Sequence, residues 1–284
     1  MAYEVRIEEA EQDYPEFQFV RALTPSEQKA AFHVRDKDGN DLCLKLISPT
    51  HDIDRVNREI ESLQEIAHPN VVGLLEYTYS TRPGRRRHYM LEQFVEGTDL
   101  TNLLASAPLE TSAVLTLFRG ILAGLEALRA KEIVHRDLKP ANVRVRSDGS
   151  PVIIDFGLAR RLRASDLTHT AQGAAIGTPA YFAPEQFRGD KRDIDHRTDL
   201  FAVGLLLYTA LVGEHPFLRH GMGYGELERA ICESESHTGS SAFKALPDPL
   251  RLVLIRLLAK DRIARPATAA QVSSMLGRVG GVNA

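Results

Sequence analysis

The chain has 284 residues, which is enough to bury a sizeable core in a two-part domain. A hydrophobic share of 43%, a charged share of 26% and a net charge of −3 exclude a protein that binds nucleic acid or anionic lipid through excess positive charge. The two cysteines, Cys43 and Cys232, form neither a disulfide framework nor a zinc-ligand spacing, which favours a reducing, cytoplasmic compartment.

Membrane and targeting signals are not expected in this chain. Residues 1–6 alternate in polarity and include an acidic residue, so they do not have the pattern of a signal peptide. The longest apolar run, 200–212, is too short to span a bilayer and predicts a buried core helix. Additional domains or partner proteins outside this chain are compatible with the sequence.

The first third of the chain predicts a sheet with one helix. Strand patterns occupy five segments: 17–23, 31–34, 42–47, 71–79 and 88–94. Asp38-Gly39-Asn40 is a strong hairpin signal between the second and third of these strands. Apolar residues at helical spacing predict an amphipathic helix over 54–66, which ends before Pro69.

From Asp99 onward the pattern changes to helices. Four helices are predicted, over 113–131, 200–211, 248–259 and 268–276. The fold class is therefore α+β, with a β-rich part followed by an α-rich part and a cleft between them near 93–97. The long segment 158–181 has little periodicity, and a loop of that length inside a compact domain usually carries function.

Two short motifs contain most of the chemistry. Residues 135–142 read His-Arg-Asp-Leu-Lys-Pro-Ala-Asn, and a strand-like run over 151–154 leads into Asp155-Phe156-Gly157. Together they supply a carboxylate base, a lysine that neutralises phosphate charge and two hard oxygen ligands, which is the set that phosphoryl transfer from ATP needs. The alternative is two unrelated turns, which the order of the two motifs makes improbable.

With these motifs the chain resembles a eukaryotic-type serine/threonine protein kinase domain of the bacterial kind, over roughly residues 17–276. The resemblance implies a bilobal fold with a small β-rich N-lobe that carries one helix and a larger α-helical C-lobe. The expected boundaries are an N-terminal extension (1–16), an N-lobe (17–95), a C-lobe (96–278) and a C-terminal tail (279–284). It implies ATP and Mg²⁺, or alternatively Mn²⁺, as cofactors and a protein as substrate.

The resemblance assigns catalytic and metal-binding roles to the two motifs. Asp137 would accept the proton of the substrate hydroxyl, and Lys139 would neutralise charge on the transferring phosphoryl group. Asn142 and Asp155 would hold Mg²⁺, which prefers hard oxygen ligands.

Nucleotide-binding roles fall mainly on the β-rich part. Lys45 lies between apolar residues in a strand and needs a buried partner, for which Glu59 on the following helix is the natural choice. The adenine pocket would have a roof of Ala31 and Cys43, a floor of Arg144, a gatekeeper at Glu92 and a hinge that begins at Gln93. A carboxylate at the gatekeeper position also needs a partner.

Other residues would have structural or regulatory roles. Glu185, in Ala183-Pro184-Glu185, would pair with Arg265 as a buried salt bridge, and Asp199 would brace the catalytic loop backbone. Arg136 next to Asp137 indicates control by phosphorylation of the activation segment. The candidate acceptors are Ser165, Thr168 and Thr170, whereas Thr178 would contact Asp137 and Lys139 in the peptide-binding loop.

The phosphate-covering loop departs from the family pattern. It falls on 23–31, and the family's glycines are replaced by Thr24, Ser26 and Lys29. Without glycine the backbone approaches phosphates less easily, and Pro25 removes a backbone donor. The lid over ATP should therefore be stiffer, more open or differently shaped.

Two further clusters have simpler explanations. Residues 221–225 (Gly-Met-Gly-Tyr-Gly) look like a phosphate loop, but they lie between helices and predict a flexible loop. Arg85-Arg86-Arg87 predicts a solvated turn rather than a docking patch.

Three functions follow from the sequence. The first is an active serine/threonine kinase, which can also phosphorylate its own activation loop. The second is a pseudokinase-like binding module, because the glycine-free lid predicts weak nucleotide binding. The third is a small-molecule phosphotransferase, against which Lys139 and the Glu185–Arg265 pair argue.

Overall fold

The computed structural model describes residues 3–25, 29–48, 62–80, 87–106, 109–155, 179–189, 191–234 and 239–280. These residues form two compact units, one within Met1–Val95 and one within Glu96–Gly157 and Arg163–Ala284. The first is rich in strands and the second in helices, so the predicted α+β class is confirmed.

The first unit is built on a five-stranded sheet in the order β1-β2-β3-β5-β4, in which all neighbouring strands are antiparallel. Its strands are β1 (Gln18–Ala22), β2 (Lys29–Arg35), β3 (Asp41–Ile47), β4 (Leu74–Ser80) and β5 (Arg87–Gln93). All five correspond to strands predicted from the sequence.

The predicted hairpin lies between β2 and β3. The carboxylate of Asp36 accepts hydrogen bonds from the backbone N–H groups of Asp38 and Asn40, each at 2.9 Å. Gly39 has a φ of +82°, which side-chain-bearing residues rarely adopt. Most of the helix predicted over 54–66 lies outside the described residues. Within its described part, residues 62–64 are helical.

The two faces of this sheet differ in chemistry. Register places Phe32 opposite Leu44, and Leu44 opposite Leu91, on one apolar face. Helix α1 (Ile7–Asp13), which the sequence did not predict, packs its buried Ala10 against that face. Ala31, Cys43, Lys45 and Glu92, which are among the predicted nucleotide-binding residues, lie on the opposite face, because successive residues of a strand point to opposite sides.

The second unit contains a small antiparallel sheet and eight α-helices among its described residues. The strands are β6 (Thr98–Asp99), β7 (Val143–Val145) and β8 (Pro151–Ile153). The helices are α2 (Leu100–Ser106), α3 (Thr111–Ala130), α4 (Pro184–Arg188), α5 (His196–Val212), α6 (Tyr224–Glu233), α7 (Ser241–Ala245), α8 (Asp248–Leu257) and α9 (Ala269–Gly280).

Helix α5 is the central element of the second unit. Eleven consecutive residues from Thr198 to Tyr208 are buried, which agrees with a sequence that is apolar almost all round. The helix begins after Asp195, whose carboxylate accepts from the Arg197 backbone, and ends before Gly213. Gly204 allows α8 to approach closely, since a Cβ at this position would lie 2.8 Å from the Leu257 Cβ.

Helix α3 packs against α9 and β8 and buries most of its apolar residues. It is the one segment of the described chain that is long and apolar enough to cross a membrane. Half of the apolar stretch of this helix is buried inside the protein. A core helix of the protein therefore explains its apolar composition equally well.

Several elements differ from their prediction. The short helices α2 and α7 have too few turns to give a periodic signal, and α6 was not predicted at all. Residues 221–225, predicted as a flexible loop, contain the start of α6 at Tyr224, where Glu226 accepts from the Gly223 backbone. Most of the arginine cluster 85–87 lies outside the described residues.

Glu185 and Arg265 form the buried salt bridge that the sequence predicted. Two parallel hydrogen bonds of 2.7 and 2.8 Å join the guanidinium to the carboxylate. Arg265 also donates to the carbonyls of Ala259 and Arg197, and Thr198 donates to Glu185 at 2.9 Å. The pair thus joins α4 to α5 and to the segment before α9.

Breaking this pair should be costly, because one charge would remain buried without compensation. We expect Arg265→Met to lower the free energy of unfolding by about 3–5 kcal/mol, measured by urea denaturation. The double variant Glu185→Met/Arg265→Met should lose less than the sum of its two single variants. Arg251→Met, which breaks the exposed pair with Asp248, is the control and should cost under about 1 kcal/mol. Additive losses at positions 185 and 265 would contradict this account.

Candidate active site

The predicted catalytic loop is fixed by a buried carboxylate. Asp199, in the first turn of α5, accepts hydrogen bonds from the backbone N–H groups of His135 and Arg136, both at 2.8 Å. This is the bracing role that the resemblance implied. Burial raises the pKa of Asp199, while the two N–H bonds and the nearby cation of Arg136 favour its charged form.

His135 links the loop to the end of β8. Its Nδ1 accepts from the Asp137 backbone at 3.3 Å, so the proton lies on Nε2, which donates to the Ile154 carbonyl at 3.0 Å. The ring is fully buried, and its contact with Ile154 was not predicted from the sequence. It connects the two predicted motifs directly.

Asp137, Lys139 and Asn142 lie together. Lys139 Nζ is 3.0 Å from Asp137 Oδ2, and Asn142 Nδ2 is 3.1 Å from the same oxygen. Asn142 Nδ2 also donates to the Asp137 carbonyl at 2.8 Å. Because its amide nitrogen binds Asp137, the carboxamide oxygen of Asn142 is directed away from it and suits a metal ligand.

The backbone brings Asp155 next to Asn142. The Ile154 N–H donates to the Asn142 carbonyl at 2.9 Å, which ties the residue before Asp155 to the end of the catalytic loop. Asp155 and Arg136 have φ values of 61° and 64°, an uncommon conformation that concentrates at functional sites. One carboxylate and one amide oxygen are hard donors of the kind that Mg²⁺ prefers, so the residues present fit that ion.

In the strand-rich unit, Lys45 and Glu92 form a buried ion pair. Lys45 Nζ donates to Glu92 Oε2, and the two side chains are only 5% and 4% exposed. The carboxylate predicted at the gatekeeper position therefore has its partner. Glu59, the partner predicted for Lys45, lies outside the described residues.

The remaining predicted pocket residues of this unit lie in the strands that contain the pair or pair with them. Ala31 is the register partner of Lys45, and Cys43 is the register partner of Glu92. Gln93 follows Glu92 at the end of β5, and its backbone N–H donates to the Gly73 carbonyl at 3.0 Å. Ala31, Cys43, Lys45 and Glu92 thus lie on adjacent strands of one sheet face.

Arg144, the predicted pocket floor, lies in β7 of the helical unit. Its guanidinium donates to the Gly97 carbonyl, which connects β7 to the segment before β6. Gly97 has a φ of +137°, and a Cβ there would lie 2.1 Å from the Val145 carbonyl oxygen, so only glycine fits. The chain therefore passes unusually close to β7 at this point.

Arg136, the predicted phosphate-binding residue, is largely buried. Burial lowers the pKa of its guanidinium, whereas Asp199 raises it. Within the described part of the chain its Nε has no hydrogen-bond partner. The predicted phosphate acceptors Ser165, Thr168 and Thr170 all lie outside the described residues, as does Thr178, the predicted contact of Asp137 and Lys139.

The sequence missed two residues that hold the segment 180–183 in place. Gln186 donates to the Arg136 carbonyl at 2.9 Å and accepts from the Ala183 backbone at 3.0 Å, which ties α4 to the catalytic loop. His215 reaches the same segment from the loop after α5. Neither residue belongs to a local motif, so no signal in the sequence identified them.

His215 has its tautomer set by its neighbours. Its Nδ1 accepts from the backbone N–H groups of Phe217 and Leu218, at 3.1 and 2.8 Å. The proton is therefore on Nε2, which donates to the Ala180 carbonyl at 2.9 Å, and the Tyr181 ring packs edge-on against the imidazole. Burial lowers the pKa of His215 to about 4, so the ring is neutral near pH 7.

Comparison with known proteins places this geometry in a family context. A family model for the protein kinase domain matches residues 29–275. Serine/threonine-protein kinase PknB of Mycobacterium tuberculosis is 30% identical over 230 residues, which cover 79% of this chain and 36% of the relative. Serine/threonine-protein kinase Pkn1 of Myxococcus xanthus is 32% identical over 228 residues, which cover 79% of this chain and 32% of the relative.

A third relative extends the pattern. Serine/threonine-protein kinase pkn2 of Myxococcus xanthus is 33% identical over 233 residues, 78% of this chain and 27% of the relative. The chain thus spans about a third of the length of the curated relatives that it matches. The resemblance to bacterial serine/threonine kinase domains is confirmed.

The His215 geometry predicts a pH dependence of stability. The folded-state pKa lies below the ordinary value of 6.5, so the unfolded chain binds a proton first as the pH falls. Stability is retained above pH 6.5 and should decrease between pH 6.5 and 4, by up to about 3 kcal/mol from this group. His215→Asn does not titrate, so the stability gap between wild type and variant should narrow as the pH falls. Parallel stability curves would contradict the prediction.

Proposed function

Because the chain belongs to the protein kinase domain family, we propose that it is a serine/threonine protein kinase that transfers the γ-phosphate of MgATP to a protein hydroxyl. The observation that carries the proposal is the hydrogen-bonded group of Asp137, Lys139 and Asn142 on a loop braced by Asp199. A carboxylate, an ammonium and an amide oxygen at one place match the needs of hydroxyl activation and phosphate neutralisation.

Each residue has a distinct task in this proposal. Asp137 orients the substrate hydroxyl and takes its proton, while Lys139 offsets the negative charge that the transferred group carries. Asn142 and Asp155 would hold Mg²⁺, with Mn²⁺ as an alternative, and the ion would supply positive charge for the phosphates. Lys45 binds the phosphates of ATP through its ammonium group.

We assign adenine binding to Ala31, Cys43, Glu92 and Gln93 in the strand-rich unit. Arg144, in the helical unit, is assigned the same role. The aliphatic stem of Arg144 would cover the base, while its guanidinium donates to the Gly97 carbonyl.

Regulation by phosphorylation is part of the proposal. The buried Nε of Arg136 has no partner among the described residues, which supports a role in binding a phosphate group from the activation segment. Ser165, Thr168 and Thr170 are the proposed acceptors, and Thr178 is proposed to contact Asp137 and Lys139. The domain boundaries at 1–16, 17–95, 96–278 and 279–284, and a cytoplasmic location, are further proposals.

Asp137→Asn tests the proposed chemistry. The amide keeps the shape of the side chain but does not accept the hydroxyl proton, so phosphate transfer should fall by about 100-fold or more. Transfer from labelled MgATP to the protein itself and to a generic basic protein is the measurement. Equal rates for wild type and variant, with both folded, would count against catalysis at this site.

A second test separates a kinase from a pseudokinase-like binding module. That alternative is motivated by the absence of glycine at Thr24, Ser26 and Lys29. A kinase should be stabilised by MgATP, with a rise in melting temperature that depends on Mg²⁺ and is smaller in Asp155→Asn. No rise in wild type at millimolar MgATP would support the binding module instead.

A further inference from the structure

We propose that His33 is a positioning residue for nucleotide binding, which fixes the chain at the end of β5, where Gln93 is assigned to bind adenine. The inference rests on the proposed kinase function and deepens it. It names a residue that acts on Gln93 and Phe94 through contacts within the strand-rich unit. His33 belongs to neither of the two catalytic motifs, and its role was not predicted from the sequence.

Strand register places His33 on the sheet face of the residues assigned to nucleotide binding. In the antiparallel pair of β2 and β3, Ala31 is opposite Lys45 and His33 is opposite Cys43. Residues two positions apart along a strand lie on the same face, so His33 shares the face of Ala31. Its register partner, Cys43, is one of the two residues assigned to the adenine roof. The imidazole therefore lies beside the assigned adenine site, on the opposite face from the one that α1 covers.

The imidazole of His33 stacks on the ring of Phe94, the residue after Gln93. The two ring centroids are 3.8 Å apart, and the ring planes differ by only 4°. In the sheet β3 lies between β2 and β5, so this stack joins β2 to a segment that does not pair with it. Contacts between flat rings stabilise a structure beyond the area that they bury. The stack therefore favours one position of Phe94 and of the backbone that carries it.

Asp41, the first residue of β3, binds both partners of the stack. Its carboxylate accepts from His33 Nε2 at 2.7 Å, and its backbone carbonyl accepts from the Phe94 N–H at 3.2 Å. The hydrogen bonds from His33 and Arg35 lower the pKa of Asp41, which keeps the carboxylate charged as an acceptor. The orientation of the imidazole and the backbone of Phe94 thus depend on one common residue.

Burial alone does not account for a histidine at position 33. The side chain is only 10% exposed, and its Nδ1 has no hydrogen-bond partner in the part of the chain that the structure describes. A buried polar atom without a partner lowers stability. A leucine would fill the space without this penalty, but it would provide neither a flat ring for Phe94 nor a donor for Asp41. These two contacts distinguish His33 from an apolar core residue.

The contacts of His33 should affect nucleotide binding more than chemistry. Gln93 and Phe94 lie in the strand-rich unit, whereas the transfer of the phosphoryl group is assigned to Asp137 in the helical unit. A shift of the chain at the end of β5 would weaken the hold on the base in the ground state and in the transition state alike. A loss of this kind raises KM and leaves kcat unchanged.

The experiment compares His33→Leu with the matched control Arg35→Met. Both remove a hydrogen bond to the Asp41 carboxylate, but only His33→Leu removes the ring that stacks on Phe94. We expect His33→Leu to raise KM for ATP by about threefold to tenfold, the size of one aromatic pair, with kcat within about twofold of wild type. Arg35→Met should change KM by less than about twofold, because its ion pair is exposed. An unchanged KM in His33→Leu, or an equal rise in Arg35→Met, would overturn the proposal.

A third variant, His33→Phe, separates the stack from general packing. Phenylalanine keeps a flat ring for Phe94 but has no donor for Asp41, so it should recover part of the affinity for ATP that His33→Leu loses. Melting temperatures are measured without nucleotide, and all assays are run well below them. Equal KM values in His33→Phe and His33→Leu would contradict positioning by the ring. A lower melting temperature in His33→Leu with a wild-type KM would make His33 structural only.

Amide hydrogen exchange decides the inference even if wild type is no more active than Asp137→Asn, the result by which the kinase proposal itself fails. The N–H groups of Gln93 and Phe94 both donate to backbone carbonyls. Without nucleotide, these two amides should exchange about threefold faster or more in His33→Leu than in Arg35→Met, because the stack no longer opposes local opening. Equal exchange rates in the two variants would overturn the proposal without reference to turnover.

Discussion

The buried carboxylate of Asp199 holds the backbone on which the predicted catalytic side chains are mounted. It accepts the N–H groups of His135 and Arg136 from the first turn of a helix that is itself the core of the second unit. A loop needs partners for its backbone donors wherever it is buried, and here both donors meet one rigid acceptor. The positions of Asp137, Lys139 and Asn142 follow from that anchor.

Three of the buried carboxylates that the structure describes have compensating partners. Asp199 accepts hydrogen bonds from two backbone N–H groups, and Glu185 accepts two from the guanidinium of Arg265. Glu92 accepts one from the ammonium group of Lys45. Such groups contribute little net stability compared with apolar side chains, but removal of one partner is costly. Their effect is therefore to specify geometry, and two of the three determine the positions of residues with proposed roles in phosphoryl transfer.

Much of the fold and the centre of the site was accessible from the sequence because the signals are local. The hairpin signal beside 42–47 and the strand pattern in 88–94 predicted β3 and β5, and the apolar run at 200–212 predicted the buried helix α5. Asp137, Lys139 and Asn142 lie within six residues of one another, so their proximity follows from chain connectivity. The Glu185–Arg265 pair, although distant in sequence, was inferred through resemblance to a family and not from spacing.

The sequence alone determined which residue types are present, their local periodicity and the family to which their order points. Tertiary structure decided which distant groups meet: Lys45 with Glu92, 47 residues apart, and His215 with Ala180, 35 residues apart. It also decided that helix α1 covers the apolar face of the sheet. The physical reason is that strand register and packing between separate elements set these contacts. Strand register and packing between elements do not produce a periodic pattern in the sequence of the residues involved.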